Sequence, residues 1–321
     1  MRSKYGILLL IVFAAAVGIF LFTGGSFLNV RLLGRVDKAP SDQEENMVYG
    51  QQYTVLSENI LERDGIILYA QDSTLQAREL SSGINLVAAD ISSRSDRGIQ
   101  SFSEYVSYLY LFDGTTVYWY QIGGDGKLHT AIRDCTQFIP MGTYLYSLRD
   151  LNGTTYLYRC SLTGSYEKIL FGVPVVDFEA CDGNLLYLDD SDHYTWWNVL
   201  TGSSMEHVFP TSVEDIKITA DGILYISDGV LYYRSFLSSE DSVISENCRL
   251  FNTGVHNAVF ISGEDVYIYH TSDGSLSRLN CDLHDIVAVD ISAEYVFVKT
   301  ADNSLYYSNN SDSDWVLLQI E

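Results

Sequence analysis

The stretch Thr219-Ala-Asp-Gly-Ile-Leu-Tyr-Ile-Ser-Asp-Gly-Val-Leu-Tyr-Tyr-Arg-Ser-Phe236 contains two Asp-Gly pairs separated by five residues. Asp-Gly favours two-residue turns between antiparallel strands, because both positions tolerate positive φ angles. The apolar runs on either side of Asp228-Gly229 are typical of the strands that such a turn joins. With Val213–Ile218 upstream, joined through Asp221-Gly222, the stretch predicts strand, turn, strand, turn, strand.

This unit recurs about every 38 residues. We assign the first turn of the copies to Asp64-Gly65, Asp113-Gly114, Gly142, Asp182-Gly183, Asp221-Gly222, Gly263 and Ala293. The strand after each first turn ends in an aromatic residue, at Tyr69, Tyr118, Tyr146, Tyr187, Tyr225, Tyr267 and Phe297. The second turn carries an aspartate in every copy: Asp72, Asp125, Asp150, Asp190 or Asp192, Asp228, Asp273 and Asp302. A fourth strand fits each unit, for example at 166–170 and 204–208.

Four short strands in a repeat of about 40 residues are typical of a propeller blade. Residues 53–321 therefore predict an all-β fold, a β-propeller of about seven four-stranded blades, with Asn46–Tyr53 as a candidate strand for ring closure. The segment 302–307, after 286–291, resembles a regulator-of-chromosome-condensation or tectonin repeat. The segment 308–315 resembles an Asp-box that lacks its glycine and threonine. The layout and tyrosine content resemble the membrane-anchored propellers of Gram-positive bacteria, a resemblance that implies the fold.

The N-terminal region predicts a membrane anchor. Tyr5–Phe22 is a run of 18 uncharged, mostly apolar residues after a short basic tail, residues 1–4. We interpret it as an uncleaved transmembrane signal anchor, with cleavage after Thr23-Gly24-Gly25 as the alternative. The basic residues next to the run favour a cytoplasmic N-terminus. Residues 23–52 then form a stalk, and the propeller lies outside the cytoplasmic membrane, on the bacterial cell surface.

Acidic residues dominate the C-terminal domain. Residues 1–38 hold five of the 19 basic side chains and one of the 42 acidic ones, so residues 39–321 carry 14 basic and 41 acidic side chains, a net charge of −27. Such a domain repels nucleic acid and anionic lipid at long range. We therefore predict no nucleic-acid partner and expect a charged partner to be a cation or a basic protein or peptide. A role in solubility alone is the alternative.

The second turn of each copy, between its second and third strands, indicates a candidate binding surface. In a propeller, the turns between second and third strands open on the same face as the loops between blades. Our assignment places all the second-turn aspartates there, as an acidic ring suited to a cation, a polyamine or a basic peptide. The alternative is a purely structural role, because aspartate is preferred in turns where its side chain caps its own backbone.

Two other segments break the repeat pattern. Arg94 and Arg97 lie between the first two copies and are expected on the same face, where they either bind a carboxylate or phosphate or pair with neighbouring acids. Trp196 and Trp197 are adjacent on a strand and point to opposite sides, so we expect one to be exposed. An exposed tryptophan stacks on a sugar or anchors a protein; packing between blades is the alternative.

The sequence contains no G-x-S-x-G, H-E-x-x-H, P-loop or C-x-x-C motif and no metal-ligand spacing among its six histidines. Its five cysteines, an odd number in predicted strands, are expected to be free, buried thiols. We predict no cofactor, no metal and no enzymatic activity. The leading hypothesis is a membrane-tethered interaction module for protein or peptide. The alternatives are a carbohydrate-binding propeller that uses Trp196 or Trp197 and a hydrolase with carboxylates in the central channel.

Overall fold

The computed structural model describes residues 60–63, 66–80, 84–210, 212–292, 295–310 and 314–318. These residues form 28 strands. In chain order, four to a blade, the strands are β1 Ile60–Arg63, β2 Ile66–Gln71, β3 Thr74–Glu79 and β4 Asn85–Asp90; β5 Ser101–Tyr105, β6 Tyr108–Phe112, β7 Val117–Gln121 and β8 His129–Ile132; β9 Cys135–Met141, β10 Tyr144–Leu151, β11 Thr154–Ser161 and β12 Lys168–Ile169; β13 Val175–Cys181, β14 Asn184–Asp189, β15 Tyr194–Asn198 and β16 Ser204–His207; β17 Val213–Ile218, β18 Gly222–Ser227, β19 Val230–Ser235 and β20 Ser242–Ser245; β21 Cys248–Thr253, β22 Asn257–Ser262, β23 Asp265–His270 and β24 Leu276–Leu279; β25 Ile286–Ile291, β26 Tyr295–Thr300, β27 Leu305–Asn309 and β28 Val316–Leu318.

Each blade is an antiparallel sheet of four consecutive strands, and the described residues form seven such sheets. The first strands of neighbouring blades contact one another, as β13 contacts β17 and β21 contacts β25. The first strand of each blade is therefore the innermost one and lines a central channel. The prediction of an all-β propeller with seven four-stranded blades is confirmed.

The hydrophobic core is divided into seven clusters, one between each pair of neighbouring blades. Neighbouring blades cover both faces of each sheet, so a strand in the middle of a sheet is apolar on both sides. The strand β18, for example, is buried at all six positions. The cluster that contains Ile67, Tyr69, Phe297 and Leu305 packs the first blade on the seventh. The ring closes at this contact.

Five of the seven predicted repeats have the correct strand register, and two are wrong by one strand. In the second and sixth blades, Asp113-Gly114 and Gly263 belong to the turn between second and third strands. The actual first turn of the second blade is Val106-Ser107, and Val106 has a φ of 58°. A β-branched residue at positive φ is uncommon, so propensity rules miss this turn. The second strands of these blades contain Tyr108, Tyr110 and Phe112 in one and Phe260 in the other, whereas Tyr118 and Tyr267 lie in third strands.

The two Asp-Gly pairs of the opening stretch differ in structure. Asp228 and Gly229 have φ angles of 53° and 73°, as a tight hairpin turn requires. Gly222 is instead the first residue of β18, and a Cβ there would lie 2.5 Å from the carbonyl oxygen of Arg234. The first turn therefore lies where it was predicted, between β17 and β18, but Gly222 is required by the close packing of two strands and not by a positive φ angle.

Several predictions fall outside the described residues: the tail 1–4, the anchor 5–22, the stalk 23–52, the candidate closing strand 46–53, and the turns at Asp64-Gly65 and Ala293. Within the described part of the chain, no helix has the length and apolar character needed to cross a membrane.

Candidate binding surface and central channel

One face of the ring, here called the connector face, carries the turns between second and third strands together with the connectors 91–100, 133–134, 170–174, 246–247 and 280–285 and the described connector residues 208–210 and 212. Backbone hydrogen bonds join these segments: the amide of Ile99 donates to the carbonyl of Asp72, and that of Ala301 to Asp285. The opposite face, here called the hairpin face, carries the turns between first and second strands and between third and fourth strands. Antiparallel pairing within each blade places the two sets of turns at opposite strand ends.

The structure places most of the predicted acidic ring on the connector face. These members are Asp72, Asp150, Asp190, Asp192, Asp228 and Asp302. Asp125 and Asp273 lie instead between third and fourth strands, on the hairpin face, so their placement was wrong. The cause is the one-strand register error in the second and sixth blades. Whether any of these residues binds a partner stays a prediction.

Asp113 occupies the turn of the second blade where Asp125 was expected. Its side chain is buried, and its Oδ1 accepts hydrogen bonds from the amides of Thr115 and Thr116 at 3.0 and 2.7 Å. Burial pushes the pKa of Asp113 up, but hydrogen bonds led by that from Ser95 outweigh burial and hold the pKa below its usual value. Asp113 is a structural turn residue.

The other turn aspartates combine local hydrogen bonds with exposure. Asp302 Oδ1 accepts from Thr300 Oγ1 at 2.6 Å and from the amide of Ser304 at 3.0 Å, and these bonds lower the pKa of Asp302. Asp228 Oδ2 accepts at 3.0 Å from Oγ of Ser212, the residue that precedes the first strand of the same blade. The turn-capping role predicted as the alternative is thus present, and it leaves part of each carboxylate facing solvent.

The loops of the connector face hold eleven exposed acidic side chains against three basic ones, Arg94, Arg97 and Arg133. The acidic set is Asp72, Asp96, Asp134, Asp190, Asp192, Asp228, Glu246, Glu264, Asp282, Asp285 and Asp302. Within the described residues, none of the eleven lies within 4.0 Å of a lysine or arginine nitrogen. The face therefore presents carboxylates that the protein itself does not neutralise.

A cleft of about 250 Å³ opens on this face between the sixth and seventh blades. Asp282, His284 and Asp285 of the connector line one side, and Asp302 and Tyr306 line the other. The cleft is lined by Asp302, a predicted site residue, and by Asp282 and Asp285, two acids that the sequence pattern did not indicate.

Arg94 and Arg97 lie in the connector between the first and second blades, as predicted. Both side chains are exposed, and neither makes an ion pair with a described residue. The alternative that they pair with neighbouring acids is therefore wrong.

Both tryptophans pack between blades. Trp196 is 5% exposed, stacks on Phe236 of the fifth blade with ring centroids 5.2 Å apart, and donates from Nε1 to Asn184. Trp197 points to the other side and meets the edge of Phe171, 5.3 Å away. The two rings do point in opposite directions, but neighbouring blades cover both directions. The expectation of one exposed tryptophan is wrong for this reason.

The five cysteines are free, as predicted, and four are buried. Burial raises the pKa of Cys135 to about 12, which leaves the thiol unreactive. Cys281, in a connector rather than a strand, is half-buried. The described residues contain no group of three or more His, Cys, Asp or Glu side chains placed to bind a metal ion.

Sequence reasoning left out a set of charged residues in the central channel. The first strands of blades four to seven share a register irregularity, after Val175, Val213, Cys248 and Ile286. The polar residues at the equivalent later position of these strands are Glu179, Lys217, Asn252 and Asp290. Alignment of the four repeats at this irregularity is the signal that would have found them.

Three of these residues and two acids that lie two positions earlier in their strands form what we call the channel cluster: Glu179, Lys217, Asp290, Asp177 and Asp215. Lys217 Nζ lies 3.9 Å from Asp215 Oδ1, and its charge also acts on Glu179 and on Asp290, two blades away. Burial raises the pKa values of Glu179 and Asp290 to about 7. Burial would lower the pKa of Lys217, but the surrounding carboxylates, Glu179 first, raise it.

No protein-family model matches the chain, and a search of curated proteins gives no match. Solved structures do match. The computationally designed Ika8 protein is 13% identical, with a TM-score of 0.55 over 85% of this chain and 88% of that one. Prp20p from Saccharomyces cerevisiae is 9% identical, with a TM-score of 0.54 over 88% and 90%. YCF48 bound to the D1 peptide is 12% identical, with a TM-score of 0.51 over 79% and 93%. At these identities the likeness shows the propeller fold alone.

Proposed function

We propose that this protein is a non-enzymatic interaction module that binds a basic protein or peptide segment on its connector face. The observation that carries the proposal is the set of eleven exposed carboxylates without a lysine or arginine partner. A basic segment would supply the missing cations and would be steered to this face at long range. Arg94 and Arg97 would bind an acidic residue of the same partner and set its orientation.

The structural neighbours support this type of function. Prp20p is described with binding properties to Gsp1p and histones, and YCF48 was solved with a bound peptide. The propeller scaffold is therefore used elsewhere to bind proteins and peptides. The carbohydrate alternative loses its main support, since Trp196 is buried and Trp197 packs against Phe171.

We further propose that residues 5–22 anchor the propeller outside the cytoplasmic membrane. The support is the apolar run after a basic tail. A C-terminal tag on the full chain would be digested by protease added to intact cells. A tag that is protected until the cells are lysed would contradict this orientation.

The binding proposal is tested with the full-length chain and a fluorescent Lys- and Arg-rich peptide. The triple variant Asp72→Asn, Asp228→Asn and Asp302→Asn removes three charges from the connector face, and asparagine keeps the turn-forming capacity. We expect affinity to fall about 3- to 160-fold, because each of the three exposed charge pairs contributes about 0.2–1 kcal/mol.

The matched control is Asp125→Asn, Asp182→Asn and Asp273→Asn, which makes the same change in charge on the hairpin face. We expect it to leave affinity within about twofold of the wild type. Equal loss in both triple variants would mean that only net charge matters, and the proposed binding face would be wrong.

A further inference from the structure

The third blade differs from the rest of the ring in its balance of charge. Within residues 135–174, the basic residues are Arg149, Arg159 and Lys168, and the acidic ones are Asp150 and Glu167. In each of the other six blades, acidic residues outnumber basic ones. The third blade is therefore the part of the ring whose own charge repels an anion least.

Two arginines of this blade are packed alike but differ in their charge partners. The guanidinium of Arg149 lies 5.2 Å from the ring centroid of Tyr158, and that of Arg159 lies 4.3 Å from the centroid of Tyr144. Both side chains are half-buried, and the Nε atom of each is buried without a hydrogen-bond partner among the described residues. Arg149 forms an ion pair with Glu167. Arg159 lies within 4.0 Å of no described carboxylate, so its charge is left without an opposite charge.

The residues that pair with Arg159 in the sheet supply no negative charge. Lys168 is directly opposite Arg159 in the pairing of β11 with β12, so the two cationic side chains share one face of the sheet. Lys168 is exposed and has no ion pair with a described residue. On the other side of Arg159, burial raises the pKa of the Tyr146 hydroxyl to about 12, although the charge of Arg159 lowers it, so that hydroxyl is neutral. Like charges directly opposite each other destabilise a sheet, and an anion bound between them would remove this cost.

The two cations lie on the outer rim of the ring, away from the connector face. β12 is the outermost strand of its blade, and Arg159 is two residues before the end of β11, which runs towards the hairpin face. The eleven acids of the connector face without a lysine or arginine partner lie at the opposite ends of the strands. An anion can therefore approach from solvent past the exposed Lys168 without crossing the acidic face.

A guanidinium beside an ammonium suits an oxyanion. A guanidinium donates two parallel hydrogen bonds to a carboxylate or a phosphate, and an ammonium adds a further charged donor. The ring of Tyr144 restricts the guanidinium of Arg159, which lowers the cost of ordering that side chain when an anion binds. We propose that Arg159 and Lys168 form a binding site for the carboxylate or phosphate group of a small organic anion. The site is separate from the connector face and does not depend on its proposed partner.

The test measures the binding of glycerate, glycerol phosphate and glycerol to the full-length chain by calorimetry. The three probes share one carbon skeleton, and only the first two carry an oxyanion. We expect these two to bind and glycerol not to bind, with an affinity that falls as sodium chloride is raised, because salt screens partly exposed charges. The tighter of the two anions identifies a preference for carboxylate or for phosphate. Binding of all three probes alike, or of neither anion, would overturn the inference.

The decisive variant is Arg159→Met, which keeps an apolar side chain over Tyr144 and removes the guanidinium. We expect it to weaken the bound anion about tenfold or more, since hydrogen bonds to charged groups are lost. Lys168→Met should weaken the anion about two- to fivefold, because its charge is exposed. Lys168 lies on the surface, so this variant still decides the question if Arg159→Met does not fold. Unchanged affinity in Lys168→Met would then contradict the site.

The matched control is Arg149→Met, which removes an arginine from the same blade and from the same type of contact with a tyrosine ring. Its charge is already paired with Glu167, and Glu167 precedes Lys168 in the chain and so faces the other side of the sheet. We expect affinity for the anions to stay within about twofold of the wild type. Equal weakening by Arg149→Met and Arg159→Met would show that only the net charge of the blade matters, and the proposed site would be wrong.

Discussion

The hairpin face and the connector face carry the same type of residue in different roles. Within the described residues, the hairpin-face turns contain eight acids, and four of these pair with a basic group: Asp125 with Lys127, Glu167 with Arg149, Asp221 with His256 and Asp241 with Arg234. None of the eleven exposed acids in the connector-face loops has a lysine or arginine partner. The two faces therefore differ in the share of their acids that have an internal partner, and the proposed binding face is the one whose acids lack it.

The pairs of the hairpin face also join blades. Asp221 of the fifth blade accepts from Thr271 Oγ1 at 2.5 Å and lies 3.0 Å from His256 Nδ1, both in the sixth blade. Arg234 of the fifth blade donates to the carbonyl of Val208, in the connector from the fourth blade. We therefore expect substitutions on the hairpin face to change stability and those on the connector face to change binding.

The largest effect is expected from Arg234→Ala. Arg234 is 4% exposed, donates from Nε and Nη2 to the two carboxylate oxygens of Asp241 at 2.7 Å, and lies over the ring of Phe209. The substitution removes three hydrogen bonds of a buried guanidinium and its packing on Phe209, so we expect a loss of about 3 kcal/mol in the free energy of unfolding. Urea denaturation measures it. A control on the connector face, Arg94→Ala, should cost less than about 0.5 kcal/mol; equal losses would remove the distinction between the faces.

The channel cluster lies between the faces and predicts a pH dependence. Burial raises the pKa values of Glu179 and Asp290 from their ordinary 4.5 and 3.8 to about 7. The folded state therefore binds more protons than the unfolded state. The stability that these two groups contribute is present below about pH 4 and is lost as pH rises through about 7.

We expect the wild type to lose about 2 kcal/mol more than Glu179→Gln, Asp290→Asn between pH 6 and pH 7, about 1 kcal/mol from each carboxyl. Subtraction of the two changes in unfolding free energy cancels the contribution of every acid that both proteins share. Thermal unfolding at several pH values measures it. Parallel stability curves for the two proteins would show that the channel carboxyls titrate normally.

A smaller effect is expected from Asp221→Asn. The substitution keeps one acceptor oxygen but removes the charge that faces Thr271 and His256. We expect a loss of about 1–2 kcal/mol, the lower part of the range for hydrogen bonds to charged groups, because the Asp221 side chain is 28% exposed. A denaturation midpoint equal to that of the wild type would contradict a bridging role.

The smallest effect is expected from Asp228→Asn, the matched change at the other Asp-Gly pair. Asparagine tolerates the positive φ of 53° at this position, and Asp228 has no basic partner among the described residues. We expect a change within about 0.5 kcal/mol in stability, together with weaker binding of the basic peptide. A loss of stability as large as that of Asp221→Asn would show that both faces use their acids structurally.

The sequence by itself determined the all-β fold and the repeat and predicted about seven blades, because turn chemistry and apolar runs are local signals; the seven sheets of the structure fixed that number. It also placed Asp72, Asp228 and Arg94 on one face. It misplaced Asp125 and Asp273, because the Asp-Gly pair at 113–114 and Gly263 are stronger turn signals than the true first turns of those two blades, Val106-Ser107 and Gly254–His256. Tertiary structure alone decided that Trp196 is buried, since the covering surface belongs to the next blade. It also brought Glu179, Lys217 and Asp290 together, because residues up to 111 positions apart in the chain meet only when the ring closes around its channel.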